Sequence, residues 1–155
     1  VMGALASSGL AAARLEIEIT EAVLMHATEA TLETLHRLRR LGVNISMDDF
    51  GTGYSSLSYL RSFPFDKIKI DRSFIRDSSE EESSLAIIRA VTGLSNSLGM
   101  ATTAEGVETR EQLDRIRAEG CIEAQGFLFS AAKPAGAASP IAVSPLARPS
   151  ARRKP

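Results

Sequence analysis

Short alternating segments separated by longer helical patterns constrain the fold of this chain more than any other feature. In residues 14–20, Leu15, Ile17 and Ile19 share one face of an extended segment, which is the period expected of a β-strand. Comparable signals recur, and the predicted strands are residues 14–20, 43–48, 67–71, 100–105 and 122–127. Strands that alternate with helices predict an α/β fold, in which a parallel sheet is covered by outer helices.

Helix start and stop signals lie between these predicted strands. Thr28 can cap a helix that Gly42 ends. The leucines that recur at helical spacing in it, and form its predicted apolar stripe, are Leu32, Leu35, Leu38 and Leu41. Thr109 and Gln112 form a capping-box pattern that opens another helix, which Gly120 closes. These signals place helices in the connections between strands, as an α/β fold requires.

The longest predicted helix covers residues 80–98 and stops at Gly99. A shorter helical stretch is predicted through Leu57 and Leu60, and residues 1–10 resemble the end of a helix that closes at Gly9. We therefore expect part of the domain to precede this sequence. The buried stripe predicted for the longest helix consists of Leu85, Ile88, Val91, Leu94 and Leu98.

Composition narrows the classes of protein to which the chain can belong. It has 155 residues, of which 44% are apolar and 24% charged, and its net charge is -1. These values are typical of a globular domain and give no electrostatic reason to bind nucleic acid or a membrane surface. No apolar run approaches the roughly 20 residues of a membrane span. The single cysteine, Cys121, excludes an internal disulfide, fits the reducing cytoplasm and is predicted to be a buried structural thiol.

The last part of the chain differs in composition from the rest. From about residue 135 it is rich in Ala, Ser, Pro and Gly, so we predict a disordered tail over residues 135–155. Solvation is a simpler explanation of its basic residues than contact with an anionic surface. Those residues are Arg148, Arg152, Arg153 and Lys154.

A polar residue stands at or near the carboxyl end of every predicted strand. The five residues are Glu18, Asp48, Lys69, Glu105 and Gln125. Carboxyl ends of parallel strands meet at one edge of a sheet, which is where barrel enzymes assemble their sites. Carboxylate and amide oxygens suit hard divalent cations, and two such ions can act on one phosphodiester. The pattern therefore indicates a metal-dependent site.

Each of these residues also has a simpler interpretation. A carboxylate at a strand end is usually solvated, and consecutive acids such as Asp48 and Asp49 suit a turn. Glu105 and Glu108 would be favourable near the start of a helix, and Lys69 taken by itself is most simply a surface charge. The coincidence of all five at successive strand ends favours the shared site.

Other chemistries find less support in the sequence. The chain has no cluster of cysteine and histidine that would form a thiolate zinc site. His26 and His36 lack partners at metal-ligand spacing and are taken as structural or exposed. The Asp-Phe-Gly string at residues 49–51 is not accompanied by the other motifs of a protein kinase.

Five motifs make the sequence resemble the EAL family of bacterial cyclic di-GMP phosphodiesterases. Their order and separations are those of the family, and the nine-residue run that begins at Asp48 is highly specific. The motifs are EITE at 18–21, DDFGTGYSS at 48–56, KID at 69–71, AEGVET at 104–109 and QGF at 125–127.

The resemblance implies a fold and a reaction. The fold would be a modified (β/α)8 TIM-type barrel, of which this chain holds about five βα units, and the reaction would be hydrolysis of cyclic di-GMP to pGpG with two Mg²⁺ or Mn²⁺ ions. By resemblance, Glu18 and Asp48 would bind metal and Asp49 would help to hold the second ion. Lys69 would lie beside the attacking water, with Glu105 near it as base or metal partner.

The resemblance also assigns roles to three further residues. Gln125 would complete the site by binding water or substrate, and Glu21 and Glu108 would brace the loop from Phe50 to Ser56. In the family this loop couples the metal site to dimerisation, which implies a homodimer for the full-length protein. No nucleic-acid partner is implied, and the expected compartment is the cytoplasm.

The match covers residues 1–134 and corresponds to the C-terminal part of the family domain. The Glu-Ala-Leu signature and a strand Asn, both metal ligands in the family, are not in this sequence. We therefore expect weak metal binding and slow hydrolysis from these residues by themselves. The alternatives are a non-catalytic EAL module that binds cyclic di-GMP or a protein partner, and a truncated product without an independent role.

Overall fold

The structure, a computed structural model, describes residues 1–51, 60, 63, 65–76 and 81–134. The chain divides into two compact units, Val1–Lys69 and Ile70–Pro155, and each is described by itself. No helix among the described residues has both the length and the apolar character needed to cross a bilayer.

The first unit alternates strands with helices as predicted. It opens with α1 and a 3-10 turn, after which β1 is followed by two helices and then by β2. The strand β3 begins with the last residues of the first unit and ends at Ile70, the first residue of the second unit. The bounds are α1 Met2–Ser8, the 3-10 turn Ala12–Arg14, β1 Glu16–Thr20, α2 Glu21–Met25, α3 Glu29–Arg40, β2 Asn44–Phe50 and β3 Lys67–Ile70.

The second unit continues the same alternation. A short helix follows β3, and a long helix leads to β4; a third helix then leads to β5. The bounds are α4 Ser73–Arg76, α5 Glu81–Leu98, β4 Ala101–Ala104, α6 Arg110–Ala118 and β5 Glu123–Ala124. The chain is therefore α/β, as the alternation in the sequence predicts.

The strand pairing in the first unit sets the positions of its polar side chains. β1 and β2 are parallel, with Glu16 opposite Asn44 and Thr20 opposite Asp48. β3 is the next neighbour of β2, and the amide of Asp66 just before it donates to the Ile45 carbonyl at 2.9 Å. Glu18 and Lys69 are thus carried by strands on either side of β2.

Strand pairing also sets the positions of the polar side chains in the second unit. The Ile70 carbonyl, at the end of β3, accepts the amide of Glu105 at 3.0 Å. β4 and β5 are parallel, and the amide of Gln125 donates to the Ala104 carbonyl at 2.9 Å. These backbone bonds fix Glu105 and Gln125 just beyond the ends of their strands.

Buried aliphatic side chains hold each unit together. In the first unit Ile45 and Ile68 are fully buried, and Phe63 packs edge-on against Phe65 with ring centroids 4.8 Å apart. In the second unit Ile88 and Ile116 face the core beside Cys121. Each fully buried isoleucine stabilises the fold by roughly 1.5–3 kcal/mol. Burial of Cys121 confirms the predicted structural thiol, and the same burial raises the pKa of that thiol.

The predicted helix caps are confirmed. The Thr28 hydroxyl accepts the Thr31 amide at the start of α3. At the start of α6, Thr109 and Gln112 exchange hydrogen bonds in a capping box. The side-chain oxygen Oε1 of Gln112 also accepts a hydrogen bond from the backbone amide of Glu108 at 2.8 Å. This extra bond joins the cap to the loop that follows Glu105.

Several predicted boundaries are wrong. Residues 12–14 form a 3-10 turn, so β1 begins at Glu16, and β2 runs on to Phe50. The fifth strand is only Glu123–Ala124, because the amide of Leu128 turns back to the Val107 carbonyl. Two short helices, α2 and α4, were not predicted because five and four residues are too few to show a helical period.

The predicted apolar stripes are also too long at their ends. Leu41 and Leu98 are exposed, since each lies in or beyond the last turn of its helix, past the region that faces the core. Residues 52–59, 61–62, 64, 77–80 and 135–155 lie outside the described residues. They include most of the helical stretch predicted through Leu57 and the whole of the predicted tail, whereas Leu60 is described and buried.

The capping box gives the first prediction. Replacing Thr109 by Ala removes the acceptor for the Gln112 amide, so Thr109→Ala should lower the free energy of unfolding by about 1 kcal/mol. Chemical denaturation followed by circular dichroism measures this loss. Thr109→Ser keeps the hydroxyl and should recover most of the stability, and an alanine variant as stable as the serine variant would contradict the assignment.

Candidate functional site

A buried lysine joins two carboxylates at the end of the strands in the first unit. The ammonium nitrogen of Lys69 lies 2.7 Å from Glu18 Oε1 and 3.0 Å from Asp48 Oδ1. The Lys69 side chain is 5% exposed, against 20% for Asp48 and 48% for Glu18. The two acids therefore face partly outward, while the cation that joins them is enclosed.

The strand order explains how these three groups meet. β2 lies between β1 and β3, and Glu18 is in register with Ser46, two residues before Asp48. Ser46 is fully buried and small, and its hydroxyl has no hydrogen-bond partner among the described residues. A short side chain at this position leaves space for Glu18 and Lys69 to meet across β2.

The stability of the cluster formed by Glu18, Asp48 and Lys69 depends on all three charged groups. Burying an ammonium group is costly unless an opposite charge and hydrogen bonds compensate. Lys69 has two carboxylates within ion-pair distance, so the cluster of Glu18, Asp48 and Lys69 carries one net negative charge. Removing one member of a buried pair typically costs about 3–5 kcal/mol because it strands the other charge.

Asp49 stands next to this cluster in an unusual backbone conformation. Its φ is 54°, the one positive φ of a non-glycine residue among the described positions. Asp tolerates the left-handed region better than most residues, although the conformation still costs on the order of 1 kcal/mol. In a regular strand Asp48 and Asp49 would point to opposite faces, and the left-handed residue interrupts that alternation.

In the second unit, Glu105 and Gln125 form a pair of their own. The amide nitrogen of Gln125 donates to Glu105 Oε1 at 2.6 Å. Glu105 is half-buried and Gln125 exposed. The bond orients the Glu105 carboxylate.

Two glycines allow the backbone to pack closely next to Glu105 and Gln125. Gly106 follows Glu105 with a φ of 67°, and a side chain on it would collide with Arg72. Gly126 follows Gln125 with a φ of 152°, and a side chain there would overlap the backbone of Val107. Glycine is therefore required at both positions by the packing of the second unit.

The two remaining predicted site residues lie near strand ends. Glu21 is buried at the start of α2, directly after β1, and Glu108 is ion-paired with Arg76 of α4. Arg76 was not singled out in the sequence. The loop that these acids are predicted to brace falls largely outside the described residues, so that role stays a prediction.

Sequence reasoning also missed a second ion pair on the polar face of the first unit. Lys67 Nζ lies 2.9 Å from Glu16 Oε2. Both residues precede a predicted site residue by two positions, and strand alternation places them on the same face. The two-residue offset from Glu18 and Lys69 could therefore have indicated this ion pair from the sequence.

The donor set suits hard cations. Glu18, Asp48 and Asp49 offer carboxylate oxygens, which Mg²⁺ and Mn²⁺ prefer. Lys69 adds a fixed positive charge able to stabilise negative charge on a phosphoryl group. Among the described residues these groups combine acceptors for a divalent cation with a fixed positive charge.

Comparison with known families agrees with this reading. A sequence model of the EAL domain matches residues 2–132, which is most of the chain. The chain therefore belongs to the EAL domain family.

Proteins similar to this chain are found in several bacteria. The uncharacterized protein y4lL of Sinorhizobium fredii is 57% identical over 89% of this chain. The cyclic di-GMP phosphodiesterase NbdA of Pseudomonas aeruginosa is 47% identical over 88% of this chain. The chain spans only 17% and 18% of these two relatives, so the activity named for NbdA belongs to a much longer protein.

Solved structures show the same fold. A PaMucR phosphodiesterase in complex with c-di-GMP aligns with a TM-score of 0.81 and 41% identity, over 88% of this chain and 55% of that one. BlrP1 of Klebsiella pneumoniae, in a complex with manganese and cyclic di-GMP, aligns with a TM-score of 0.78 and 38% identity, over 84% of this chain and 33% of that one. The predicted fold class is thereby confirmed.

The tight approach at Gly126 gives a prediction about stability. Gly126→Ala places a methyl group against the Val107 backbone, which should lower the free energy of unfolding by roughly 2–4 kcal/mol. Gly99→Ala is the matched control, because Gly99 also has a positive φ but has open space around it. The control should lose about 1 kcal/mol, and equal losses in urea denaturation would contradict the packing argument.

The backbone of Asp49 gives a third prediction. Asp49→Gly and Asp49→Ala both remove the carboxylate, but only glycine adopts a positive φ at low cost. The glycine variant should therefore be more stable by about 0.5–1 kcal/mol, the reverse of the order in an ordinary strand. Thermal unfolding of the two purified variants measures this difference, and an alanine variant of equal or higher stability would rule out the left-handed conformation.

Proposed function

We propose that this chain contributes the catalytic face of a cyclic di-GMP phosphodiesterase that linearises its substrate to pGpG with two Mg²⁺ or Mn²⁺ ions. The observation that carries the proposal is the enclosed Lys69 between the carboxylates of Glu18 and Asp48, in a chain that belongs to the EAL family. The complexes of PaMucR and BlrP1 with cyclic di-GMP support the choice of substrate.

The carboxylates of Glu18, Asp48 and Asp49 are the groups that would hold metal. Their oxygens fit hard divalent ions, and Glu18 and Asp48 are partly exposed and so accessible from solvent. When bound, the ions supply positive charge that polarises the phosphodiester and lowers the pKa of a coordinated water. The manganese complex of BlrP1 supports Mn²⁺ as one usable ion.

Lys69 and Glu105 have distinct roles in this proposal. The ammonium group of Lys69 orients the attacking water and offsets negative charge that accumulates on the phosphoryl oxygens. Glu105 accepts the proton of that water. Gln125 donates to Glu105 Oε1 and so orients the carboxylate, which makes Gln125 a positioning residue in this step.

The overall step is a hydrolysis with a simple atom balance. The water oxygen forms a bond to phosphorus, and the bond from phosphorus to the bridging 3′ oxygen breaks. The 3′ oxygen leaves as a hydroxyl after taking up a proton, and the ring opens to linear pGpG. The whole step needs one water and no oxidant or reductant.

Three further features belong to the same proposal. The single free cysteine is compatible with a reaction in the cytoplasm. Glu21 and Glu108 brace the loop that follows Asp49, since Glu21 is buried and Glu108 is held by Arg76. The homodimer implied by the family resemblance would place this loop near the partner.

The proposal is tested by hydrolysis assays on three variants of the protein. Lys69→Met and Asp48→Asn should each lower kcat by about 100-fold or more, because each removes charge stabilisation from the transition state. Chromatography of pGpG formed in Mg²⁺ or Mn²⁺ is the readout. Lys133→Met removes an exposed lysine after β5 and should leave kcat unchanged.

The outcomes separate the competing functions. Turnover that survives both Lys69→Met and Asp48→Asn would reject the assigned roles. Cyclic di-GMP binding in calorimetry without any pGpG would instead favour the non-catalytic EAL module. Absence of both binding and turnover in the wild-type protein would reject both functions.

A further inference from the structure

We propose that the ion pair between Glu16 and Lys67 is a positioning pair that sets the electrostatic potential at the cluster of Glu18, Asp48 and Lys69. The inference rests on the proposed function, because it concerns metal affinity at that cluster. Neither residue of the pair is assigned a contact with metal or substrate.

Two ion pairs lie side by side in the first unit, and we call each of them a rung: Glu18 with Lys69, and Glu16 with Lys67. Lys67 Nζ lies 2.9 Å from Glu16 Oε2, and the Glu18–Lys69 distance is 2.7 Å. Each rung joins β1 to β3 across β2. Residues two apart in a strand share a face and are separated by roughly 6.5–7 Å, so the rungs are neighbours on one face.

Space for the second rung is provided by Asn44. This residue is opposite Glu16 in the register of β1 and β2. Its side-chain nitrogen donates to the Ala13 carbonyl at 2.9 Å and so has a partner of its own at the edge of the unit. Asn44 thus does not compete with the contact that Glu16 and Lys67 make across β2.

The partial burial of this pair makes its charge felt by the cluster. Lys67 is 19% exposed and Glu16 30% exposed, so solvent screens them less than ions on an open surface. Neutralising either residue changes the charge by one unit of known sign, about 7 Å from the carboxylates that would hold metal.

The two single neutralisations should therefore have opposite effects. Glu16→Gln removes one negative charge near the cluster, which disfavours divalent cations there and should weaken Mn²⁺ binding by about three- to tenfold. Lys67→Met removes one positive charge and should tighten Mn²⁺ binding by a similar factor. A purely structural pair would instead weaken binding in both variants.

The experiment measures the Mn²⁺ dissociation constant of the protein by calorimetry, with free Mn²⁺ counted independently by electron paramagnetic resonance. The set comprises the wild type, Glu16→Gln, Lys67→Met and the double variant, whose dissociation constant should return to within about twofold of the wild type. Arg39→Gln is the control, since it also removes one positive charge from the first unit. Arg39 pairs with Asp66, which lies just before β3, away from the strand ends that carry the cluster, so its removal should leave Mn²⁺ affinity unchanged.

The results distinguish this inference from the function on which it rests. Shifts of opposite sign in the single variants, with recovery in the double variant, support it. Shifts of the same sign, or none, while the wild type binds Mn²⁺ and forms pGpG, overturn the inference and leave the proposed function intact. A wild type that neither binds Mn²⁺ nor forms pGpG overturns both.

Discussion

The enclosed ammonium of Lys69 is the interaction on which the polar face of the first unit depends. Its nitrogen lies within 3.0 Å of carboxylates from two different strands, and its burial is tolerable only because those charges compensate it. The cation in turn gathers two acids that would otherwise repel each other. One residue thus joins β1, β2 and β3 and concentrates oxygen ligands at their carboxyl ends.

The alternation of strand residues allows stability and chemistry to occupy opposite faces of the same strands. Ile68 and Ile70 of β3 are buried on one side, while Lys67 and Lys69 pair with acids on the other. The second unit repeats this design with uncharged donors in place of the lysines. There the Thr103 hydroxyl donates to Glu123 at 2.8 Å, and two positions later Gln125 donates to Glu105. Each unit therefore has two pairs of polar side chains that join its strands, and the second pair lies at the strand ends.

Much of this arrangement could be predicted from local sequence, because strand alternation and helix caps depend on neighbouring residues. The grouping of Glu18, Asp48 and Lys69 followed from their strand-end positions, and the capping box followed from Thr109 and Gln112. The rest depends on contacts between distant residues. The shortness of β5 results from the approach of Gly126 to Val107, and the burial of Lys69 results from the order of three strands. The pair of Glu16 and Lys67 went unnoticed because both residues begin their strands, away from the carboxyl ends at which the site was predicted.

The central claim is that Lys69 and Asp48 are energetically coupled, and a double-mutant cycle on the free energy of unfolding tests it most directly. The cycle compares the wild-type protein with Asp48→Asn, Lys69→Met and the double variant in urea denaturation. Contacting charges in one network should give a coupling energy of about 1–3 kcal/mol, so the double variant should lose less stability than the two single losses combined. Single effects that simply add, with a coupling energy indistinguishable from zero, would contradict the account.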